Sequence, residues 1–414
     1  MKKILILLML FCLIFSSCGK QNVPSESGTE TPSEDKREPE NINEQTLSQN
    51  CDVYDFGIPY LAQYGNETDE DILARTVWDM QVFDGKLLIA AGDRKNNKGP
   101  FELVGYDFAS ETYKNFGKLD DEQICKFKVV NDSLFIPGTD PTGYPYYGYI
   151  YILNEGDELI EAKQTIPEGV NCFDICENGG LLFAVTGTDT GGTGAVCVSS
   201  DWGKSFKQLN FVKDNKTINK NLLSDKDGEF NGRCRAYNIF TYLGKVYCTF
   251  TVSDREEYNG LYVYNKENEY FEFYSEVNEV FGDYVNCRVI EHNEKIIVCN
   301  TRELYAMSSD LSEYSAIEGF GENEQKCDIL VKDGVLYVLT NEKKADGKYT
   351  IRIKSIDPAS GLPVEFCSFK YQAPMLSFEY YGGSFYLGAG SGCEKEGDAV
   401  SEKCGTVLKV SLKA

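Results

Sequence analysis

Short apolar runs, each bounded by Gly, Asp or Asn, recur along the chain from about residue 51 to its end. One six-residue pattern appears seven times: a two-residue turn rich in Asp, Asn and Gly, then a run of β-branched, aromatic or aliphatic side chains. The copies start at Asp84, Asn131, Asn178, Leu243, Asn293, Asp333 and Gly382. Because such turns accept a positive φ and such runs favour strands, each copy predicts a β-hairpin.

The spacing of the hairpins, about 40 to 65 residues, is typical of the four-stranded blades of a β-propeller. In the first repeat the pattern predicts strands over 77–83, 86–91, 101–108 and 112–119. The inner strands of the later repeats are predicted to begin near Ile124, Val170, Cys234, Tyr284, Lys326 and Pro374. The sequence therefore predicts an all-β propeller with seven blades; six blades and one degenerate hairpin form the alternative.

The last repeat has one strand too few. After its hairpin only 406–412 reads as a strand, whereas 51–59 reads as a strand that precedes the first repeat. Pairing these two segments would close the ring and remove an exposed sheet edge. We therefore expect residues 51–414 to form one propeller domain closed by an N-terminal strand.

The N-terminus has the pattern of an export signal. Met1-Lys2-Lys3 is basic, 4–15 is apolar but short for a membrane span, and Ser16-Ser17-Cys18 follows. This resembles a bacterial lipoprotein signal peptide over 1–17, with Phe15 where that family prefers Leu. The resemblance implies a lipid on Cys18, a polar disordered tether over 18–50, and a domain held outside the cytoplasm at the cell envelope. A plain secretory signal is the alternative.

A second resemblance lies in the third repeat, where residues 199–206 read Ser-Ser-Asp-Trp-Gly-Lys-Ser-Phe. This resembles the Asp-box, or BNR, motif of sialidase-like propellers. The matching positions are Ser199, Asp201, Gly203, Ser205 and Phe206. The resemblance implies a structural hairpin between the third and fourth strands of a blade, with the Asp binding the backbone of the turn. A degenerate copy covers 308–312.

Charge and composition exclude several functions. The net charge of −24 opposes binding to nucleic acid, so membrane contact is expected through the lipid only. His292 is the single histidine, which leaves no base for a Ser-His or Cys-His nucleophile and no multi-His zinc site. We expect a monomer without metal or other cofactor.

Two sets of cysteines stand out. Four lie seven residues before the second residue of their hairpin turn: Cys125, Cys172, Cys287 and Cys327. Because Trp78 and Leu376 occupy this place in two other repeats, we expect these thiols to be buried between blades. Cys393 and Cys404 instead lie in the polar loop 388–405. A disulfide between them is predicted, with a metal pair as the less favoured alternative.

Arginines gather on one predicted face of the propeller, which is formed by the loops after the second and fourth strands of each blade. They are Arg75, Arg94, Arg233, Arg235, Arg255 and Arg302, with Arg288 on an inner strand nearby. The same face carries Asp93, Asp140, Asp189, Asp254, Trp78, Tyr144, Tyr146, Tyr147 and Tyr258. The preference of Asp for loops explains the acidic residues, but it explains the arginines less well.

Three functions fit this face. The first is a binding module for an anionic small molecule, a glycan or an envelope protein, with Arg233, Arg235, Arg288 and Arg302 converging on one carboxylate. In that hypothesis Tyr258 or Trp78 stacks on the ligand. The second is a sialidase-like glycoside hydrolase, against which stands the lack of the Arg-Ile-Pro motif of that family. The third is a structural scaffold of an envelope complex.

Overall fold

Strands make up nearly all of the regular structure. A computed structural model describes residues 39–42, 51–93, 95–143, 148–157, 159–163, 169–188, 191–225, 228–282, 286–393 and 399–413. Residues 1–35 and 36–414 form two separate units, and residues 1–35 lie outside the described residues. The described residues contain four short α-helices: α1 (Leu61–Tyr64), α2 (Asp69–Ala74), α3 (Lys220–Leu223) and α4 (Asn278–Phe281). None of the helices in the described ranges has the length and apolarity of a membrane span.

The strands of the N-terminal half follow the predicted repeats closely. They are β1 (Glu40–Asn41), β2 (Cys51–Asp55), β3 (Asp79–Phe83), β4 (Lys86–Ala90), β5 (Phe101–Asp107), β6 (Thr112–Leu119), β7 (Asp121–Ile124), β8 (Lys128–Val130), β9 (Ser133–Pro141), β10 (Tyr149–Leu153), β11 (Leu159–Lys163), β12 (Gly169–Asn178), β13 (Leu181–Thr188), β14 (Val196–Ser199), β15 (Lys207–Gln208), β16 (Asn210–Lys213) and β17 (Lys216–Ile218). The four strands predicted for the first repeat are confirmed to within two residues at each end.

The C-terminal half continues the same alternation of strands and tight turns. Its strands are β18 (Cys234–Arg235), β19 (Ile239–Tyr242), β20 (Lys245–Val252), β21 (Gly260–Asn265), β22 (Tyr270–Ser275), β23 (Arg288–His292), β24 (Lys295–Cys299), β25 (Leu304–Met307), β26 (Tyr314–Ala316), β27 (Gln325–Lys332), β28 (Val335–Lys343), β29 (Tyr349–Ile356), β30 (Pro363–Tyr371), β31 (Met375–Tyr381), β32 (Ser384–Ala389) and β33 (Val407–Leu412). All seven predicted hairpins form.

These strands form a β-propeller arrangement, but the count of separate blades differs from the prediction. Five four- or five-stranded sheets stand alone: β3–β6, β7–β11, β23–β26, β27–β30, and β31–β33 with β2 and β1. The sixth sheet has eleven strands. The described chain thus has five separate blades, where the sequence predicted seven or six.

The eleven-stranded sheet exists because one short strand bridges two neighbours. Arg235 in β18 pairs with Gly187 of β13 on one side and with Thr251 of β20 on the other. A second link follows the Asp-box, where β15 ends and β16 pairs in parallel with β22. Strands β15 and β16, which are one residue apart in the chain, therefore pair with different neighbours.

The N-terminal strand pairs as predicted with the C-terminal one. Strand β2 runs antiparallel to β33, with Cys51 opposite Leu412 and Asp55 opposite Leu408. The side chains of Cys51 and Val53 are fully buried in the resulting core. The two ends of the chain therefore complete one sheet together.

The predicted disulfide is wrong. Cys51 of β2 is bonded to Cys367 of β30, in the neighbouring blade, whereas Cys393 and Cys404 are not bonded to each other. Cys404 is instead buried, with its Sγ 3.3 Å from Thr76 Oγ1. The sequence misled because the true partners are separated by 316 residues and approach only when the ring is assembled.

The predicted burial of the inner-strand cysteines is confirmed, with one change of register. Cys125, Cys172, Cys287 and Cys327 are all at most 5% exposed. In the third repeat, however, the turn consists of Gly179 and Gly180, both at positive φ, and not of Asn178 and Gly179. Phe173 therefore holds the shared place in that repeat, and Cys172 lies one residue earlier.

Candidate functional site

Seven polar residues occupy one equivalent place on the inner strands. Each lies six residues before the second residue of its hairpin turn, and together we call them the polar ring. They are Asp79, Lys126, Asp174, Asn238, Arg288, Asp328 and Ser377. Six are buried, and the side chain of Arg288 is 11% exposed. Because buried polar groups usually need hydrogen-bond or ionic partners, the contacts of these residues show how the inner strands are held together.

The aspartates of the ring make the same contact three times. The Oδ2 atom of Asp79 accepts a hydrogen bond from the backbone N–H of Phe127 at 2.6 Å. Asp328 accepts from Phe378 N at 3.0 Å, and Asp174 accepts from Ile239 N at 3.4 Å. In each case the donor directly follows the ring residue of the next inner strand. The aspartates therefore tie neighbouring inner strands together.

Arg288 joins this ring across its centre. Its Nη2 lies 2.8 Å from Asp79 Oδ1 and donates to Trp78 O at 3.1 Å, while its Nε donates to Asp328 Oδ1 at 3.2 Å. Burial opposes the guanidinium charge, but the two carboxylates outweigh it and raise the pKa of Arg288. Burial raises the pKa of Asp328 to about 6 against the opposing effect of Arg288. Two carboxylates thus compensate the one cation.

A second cation lies on the other side of the ring. Lys126 Nζ lies 3.0 Å from Asp174 Oδ2 and 3.4 Å from Asn238 Oδ1. Burial lowers the pKa of Lys126, and the neighbouring carboxylate of Asp174 opposes that change. Both cations of the ring are therefore held by protein carboxylates.

A cavity of about 220 Å³ opens above the Arg288 side of the ring, on the predicted ligand face. We call it the central cavity. It is lined by Trp78, Asn286, Arg288, Thr301, Gln325, Cys327, Tyr349, Pro374, Leu376, Ser391, Gly392 and Cys393. These residues come from the starts of inner strands and from the loops after second strands. They belong to segments that are far apart in the chain, so the cavity depends on the assembled ring.

The apolar walls of the cavity are fixed by hydrogen bonds. The indole Nε1 of Trp78 donates to Gly92 O at 2.8 Å, which holds this half-buried side chain at the wall. Asn341 Nδ2 donates to Cys327 Sγ at 2.8 Å and to Met375 O at 2.7 Å. Burial raises the pKa of the Cys327 thiol to about 12, so it is a neutral wall at ordinary pH.

Two polar atoms of cavity-lining residues lack partners in the described part of the chain. They are the acceptor Asn286 Oδ1 and the donor Arg288 Nη1, both buried. Thr301, also in the wall, has a φ of 69°, which is unfavourable for a β-branched residue.

The predicted arginine cluster is only partly at the cavity. Arg288 and Trp78 line it. The other predicted arginines that are described do not line it. Arg75 is buried and donates to Gly65 O and Glu402 O. Arg235 donates to Tyr237 Oη, Arg255 donates to Leu223 O and Ser224 O, and Arg233 and Arg302 are exposed. Arg94 lies outside the described residues. The structure therefore brings one of the four proposed convergent arginines to the cavity.

The predicted acidic and aromatic residues mainly serve their own loops. Asp93 accepts from Lys95 N, Asp140 and Asp254 adopt positive φ, and the Tyr258 carbonyl accepts from Tyr262 Oη. Asp189, Tyr144, Tyr146 and Tyr147 lie outside the described residues. Burial, with added repulsion from Asp140 and Asp93, raises the pKa of Glu122 to about 7. Even so, the described chain contains no cluster of three metal-ligating side chains suited to an ion.

The turn over residues 199–206, which resembles an Asp-box, is held by hydrogen bonds among its own residues. It lies between β14 and β15, and Asp201 Oδ1 accepts from Ser205 N at 2.9 Å and from Ser199 Oγ at 2.8 Å. Ser199 Oγ in turn accepts from Gly203 N at 2.8 Å. Hydrogen bonds from the Ser205 hydroxyl and backbone N–H, followed by the Ser199 hydroxyl, lower the pKa of Asp201 to about 2.

The degenerate copy of the box repeats these contacts between β25 and β26. Asp310 Oδ1 accepts from Ser308 Oγ at 2.7 Å and from Ser312 Oγ at 2.8 Å. Neither copy lines the central cavity. Both are structural turns.

Sequence reasoning missed the polar ring, although a signal was present. The residues that directly follow Trp78, Cys125, Cys327 and Leu376 are all polar, and each precedes an apolar side chain. A polar residue that recurs at one place of a repeat indicates a shared geometric role in each blade. The orphan acceptor of Asn286 had no comparable signal, because an Asn next to a loop is common.

Comparisons with known proteins give fold similarity only. No family model matches the chain, and no curated protein matches it. Among solved structures, the chain is similar to "Structure of U3-55K" (TM-score 0.46, 11% identity, 81% of this chain and 95% of that chain) and to "Crystal structure of RRP9 WD40 repeats" (0.45, 11%, 91% and 100%). It is also similar to the extracellular domain of the putative one component system BT4673 from B. thetaiotaomicron (0.32, 12%), covering 76% of this chain and 51% of that one.

Proposed function

We propose that this protein is a membrane-anchored β-propeller of the bacterial cell envelope that binds one small ligand in the central cavity. The observation that carries the proposal is the cavity itself. It combines a tryptophan held by a hydrogen bond, apolar walls and the polar residues Asn286, Arg288, Thr301 and Gln325. Concave, mostly apolar sites with a few convergent polar groups are the usual form of a ligand site.

The size and charge of the cavity favour a small, uncharged ligand. At about 220 Å³ it is smaller than the roughly 300 to 1,000 Å³ of sites for drug-sized molecules. Arg288 is already compensated by Asp79 and Asp328, so a carboxylate would meet no free positive charge. The half-buried face of Trp78 suits the apolar face of a sugar ring. A single unit of a glycan is therefore the ligand that we favour over a strongly anionic molecule.

Binding fits the site better than hydrolysis does. A glycoside hydrolase of the usual kind places two carboxyl groups on either side of the bond that it cleaves. None of the described residues that line the cavity is a carboxylate. A sialidase-like activity is therefore less favoured than the binding role, and a scaffold without a ligand would give the cavity no role.

The anchoring part of the proposal rests on Cys18 and gains support from the disulfide. Disulfides persist mainly in proteins outside the reducing cytoplasm, and Cys51–Cys367 joins two strands of the folded domain. Cys18→Ala should move the full chain from the membrane fraction to the soluble exported fraction. Continued membrane association of that variant would contradict the lipid anchor.

We also propose that the ring has seven blade positions and belongs to the Asp-box propellers. In support, β12–β15 and β19–β22 are each four consecutive antiparallel strands within the eleven-stranded sheet. The seven equivalent places of the polar ring, two of them in that sheet, support the same count. An experimental structure with a rotation near one seventh of a turn between successive inner strands would test it.

The two tryptophans allow a direct binding experiment. Trp202 lies in the Asp-box, outside the cavity, so Trp202→Phe leaves Trp78 as the single indole reporter. Titration of this variant with neutral, amino and acidic monosaccharides should change the Trp78 emission for at least one of the neutral sugars. If no sugar changes the emission and calorimetry detects no heat of binding at millimolar concentrations, the proposed function is wrong.

A further inference from the structure

One wall of the central cavity is a loop and not a strand. Ser391, Gly392 and Cys393 line the cavity, and they follow the end of β32 at Ala389. We call residues 390–393 the wall segment. Loops are in general more mobile than the strands that they join. A wall of this kind prepares a binding site only if other parts of the protein hold it in place.

Two backbone contacts tie the wall segment to its own part of the chain. Gly390 N donates to Pro374 O, just ahead of β31, at 2.8 Å. The carbonyl of Ser391 accepts from Ser401 N, in the same loop, at 2.9 Å. These bonds join the segment to the sheet that contains β31 and β32, and they do not reach the neighbouring sheet.

Tyr349 supplies a contact from that neighbouring sheet. It begins β29, and its Oη donates to Gly392 O at 3.3 Å. The residue is 4% exposed and lines the cavity. Its backbone is paired on both sides, with Lys343 of β28 and Tyr371 of β30. A strand in the interior of a sheet thus carries the hydroxyl that holds the loop.

The glycine at position 392 permits this close approach. Its φ is 75°, a conformation that favours glycine. A Cβ atom on Gly392 would lie 3.1 Å from Tyr349 Oη and 3.5 Å from Pro374 Cδ, and both of these residues also line the cavity. A side chain at this position would therefore displace either the tyrosine or the wall segment.

We propose that Tyr349 is a positioning residue of the central cavity, which holds the wall segment in place for a ligand through the hydrogen bond to Gly392 O. A segment that is ordered before binding costs a ligand less entropy than one that must be ordered during binding. This inference rests on the proposed binding function and adds the residue that prepares its site. Tyr349 acts through Gly392 and not through contact with the ligand.

The first test needs no ligand and uses Cys393 as its reporter. This half-buried thiol directly follows Gly392, so its rate of reaction with iodoacetamide measures how readily the wall segment leaves its place. Peptide mass spectrometry of the full chain separates the Cys393 signal from those of the other thiols. Tyr349→Phe should react about two- to tenfold faster than the parent protein, the range that corresponds to the loss of one hydrogen bond.

Three comparisons make this test specific. Tyr337→Phe is the matched control, because Tyr337 lies in the same sheet but does not line the cavity, and it should keep the parent rate. Gly392→Ala disturbs the same contact from the other side and should also speed the reaction. Cys299, which is fully buried away from the cavity, should stay slow in every variant. An unchanged Cys393 rate in Tyr349→Phe would overturn the inference, and so would an equal acceleration of Cys299, which indicates general unfolding.

The second test measures binding. Glucose, galactose and mannose are titrated against the emission of Trp78 in the Trp202→Phe variant, with and without Tyr349→Phe. A sugar that binds should do so about two- to tenfold more weakly when the tyrosine hydroxyl is absent. Equal affinity in the two proteins would overturn the inference while leaving the binding function in place. If none of the sugars binds, the proposed function fails, and the Cys393 rate still decides whether Tyr349 holds the wall segment.

Discussion

Arg288 Nη2 lies 2.8 Å from Asp79 Oδ1, so a side chain of β23 is paired with one at the start of β3. These strands belong to separate sheets that are not neighbours in the chain. The pair closes across the centre of the propeller, and Arg288 also lines the central cavity. One residue thus serves both the fold and the site.

Removal of Arg288 should destabilise the fold strongly. Arg288→Met leaves the buried carboxylates of Asp79 and Asp328 without their cation, and we expect the free energy of unfolding to fall by about 3 to 5 kcal/mol. The loss should be smaller at pH 5 than at pH 8, because the carboxylates can then take up protons. Urea unfolding followed by circular dichroism measures both. Arg233→Met is the exposed control, and equal stability of the two variants would contradict the role of the pair.

The closing strand should be essential to stability. A chain that begins at residue 60 loses β2 and the burial of Val53, whereas a chain that begins at residue 51 keeps both. Under reducing conditions, which remove the disulfide from the comparison, the shorter chain should melt about 5 °C or more below the longer one. Differential scanning calorimetry compares them, and identical melting would show that β2 does not hold the ring.

The Cys51–Cys367 disulfide should add to the stability of the oxidised protein. Cys367→Ser should lower the free energy of unfolding by about 2 to 5 kcal/mol, since the bond closes a very long loop. A large part of that difference should vanish when the parent protein is reduced. Cys176→Ser, a half-buried thiol outside the disulfide, is the control. A parent protein whose unfolding is insensitive to reductant would rule out a contribution from this bond.

Glu379 should make the protein less stable as the pH rises. Burial raises its pKa to about 7, against hydrogen bonds from Tyr380 N and Val82 N, while its unfolded value stays near 4.5. Between these values the native state binds the proton that the unfolded state has lost, so stability falls with rising pH through this window and levels off above about 7. The full effect is at most about 3 kcal/mol.

Glu379→Gln tests this dependence. The variant should flatten the fall in stability between about pH 4.5 and 7, and it should be more stable than the parent at pH 8. Glu318→Gln, at an exposed position, is the matched control and should leave the profile unchanged. A parallel pH profile of the Glu379→Gln variant and the parent protein would show that Glu379 does not carry the dependence.

The local elements of this protein could be predicted because their causes are local. Turns such as Asp84-Gly85 need a positive φ that Asp and Gly accept, and a strand follows at once in every copy. The Asp-box is equally local, since Asp201 binds the backbone of its own turn. Even the pairing of β2 with β33 could be inferred, because the last repeat supplies only three strands and a four-stranded blade needs one more.

The disulfide and the separate blades needed the assembled structure. Cys367 and Cys51 carry no sign of each other in the sequence, whereas Cys393 and Cys404 shared a loop and misled the prediction. The fusion of two sheets through Arg235 depends on a strand of two residues, which is too short to leave a pattern of apolar and polar positions.

Which segments become strands and turns could be predicted from the sequence, because these choices depend on residues a few positions apart. Which side chains meet at the centre could not, because that depends on how the blades assemble. Trp78, Leu376, and the pair Asn286 and Arg288 come from three separate blades, and their approach depends on the rotation of each sheet around the ring. Charge compensation also depends on assembly: Arg288 was predicted to await an anion, but Asp79 and Asp328 pair with it and leave no uncompensated positive charge for a ligand.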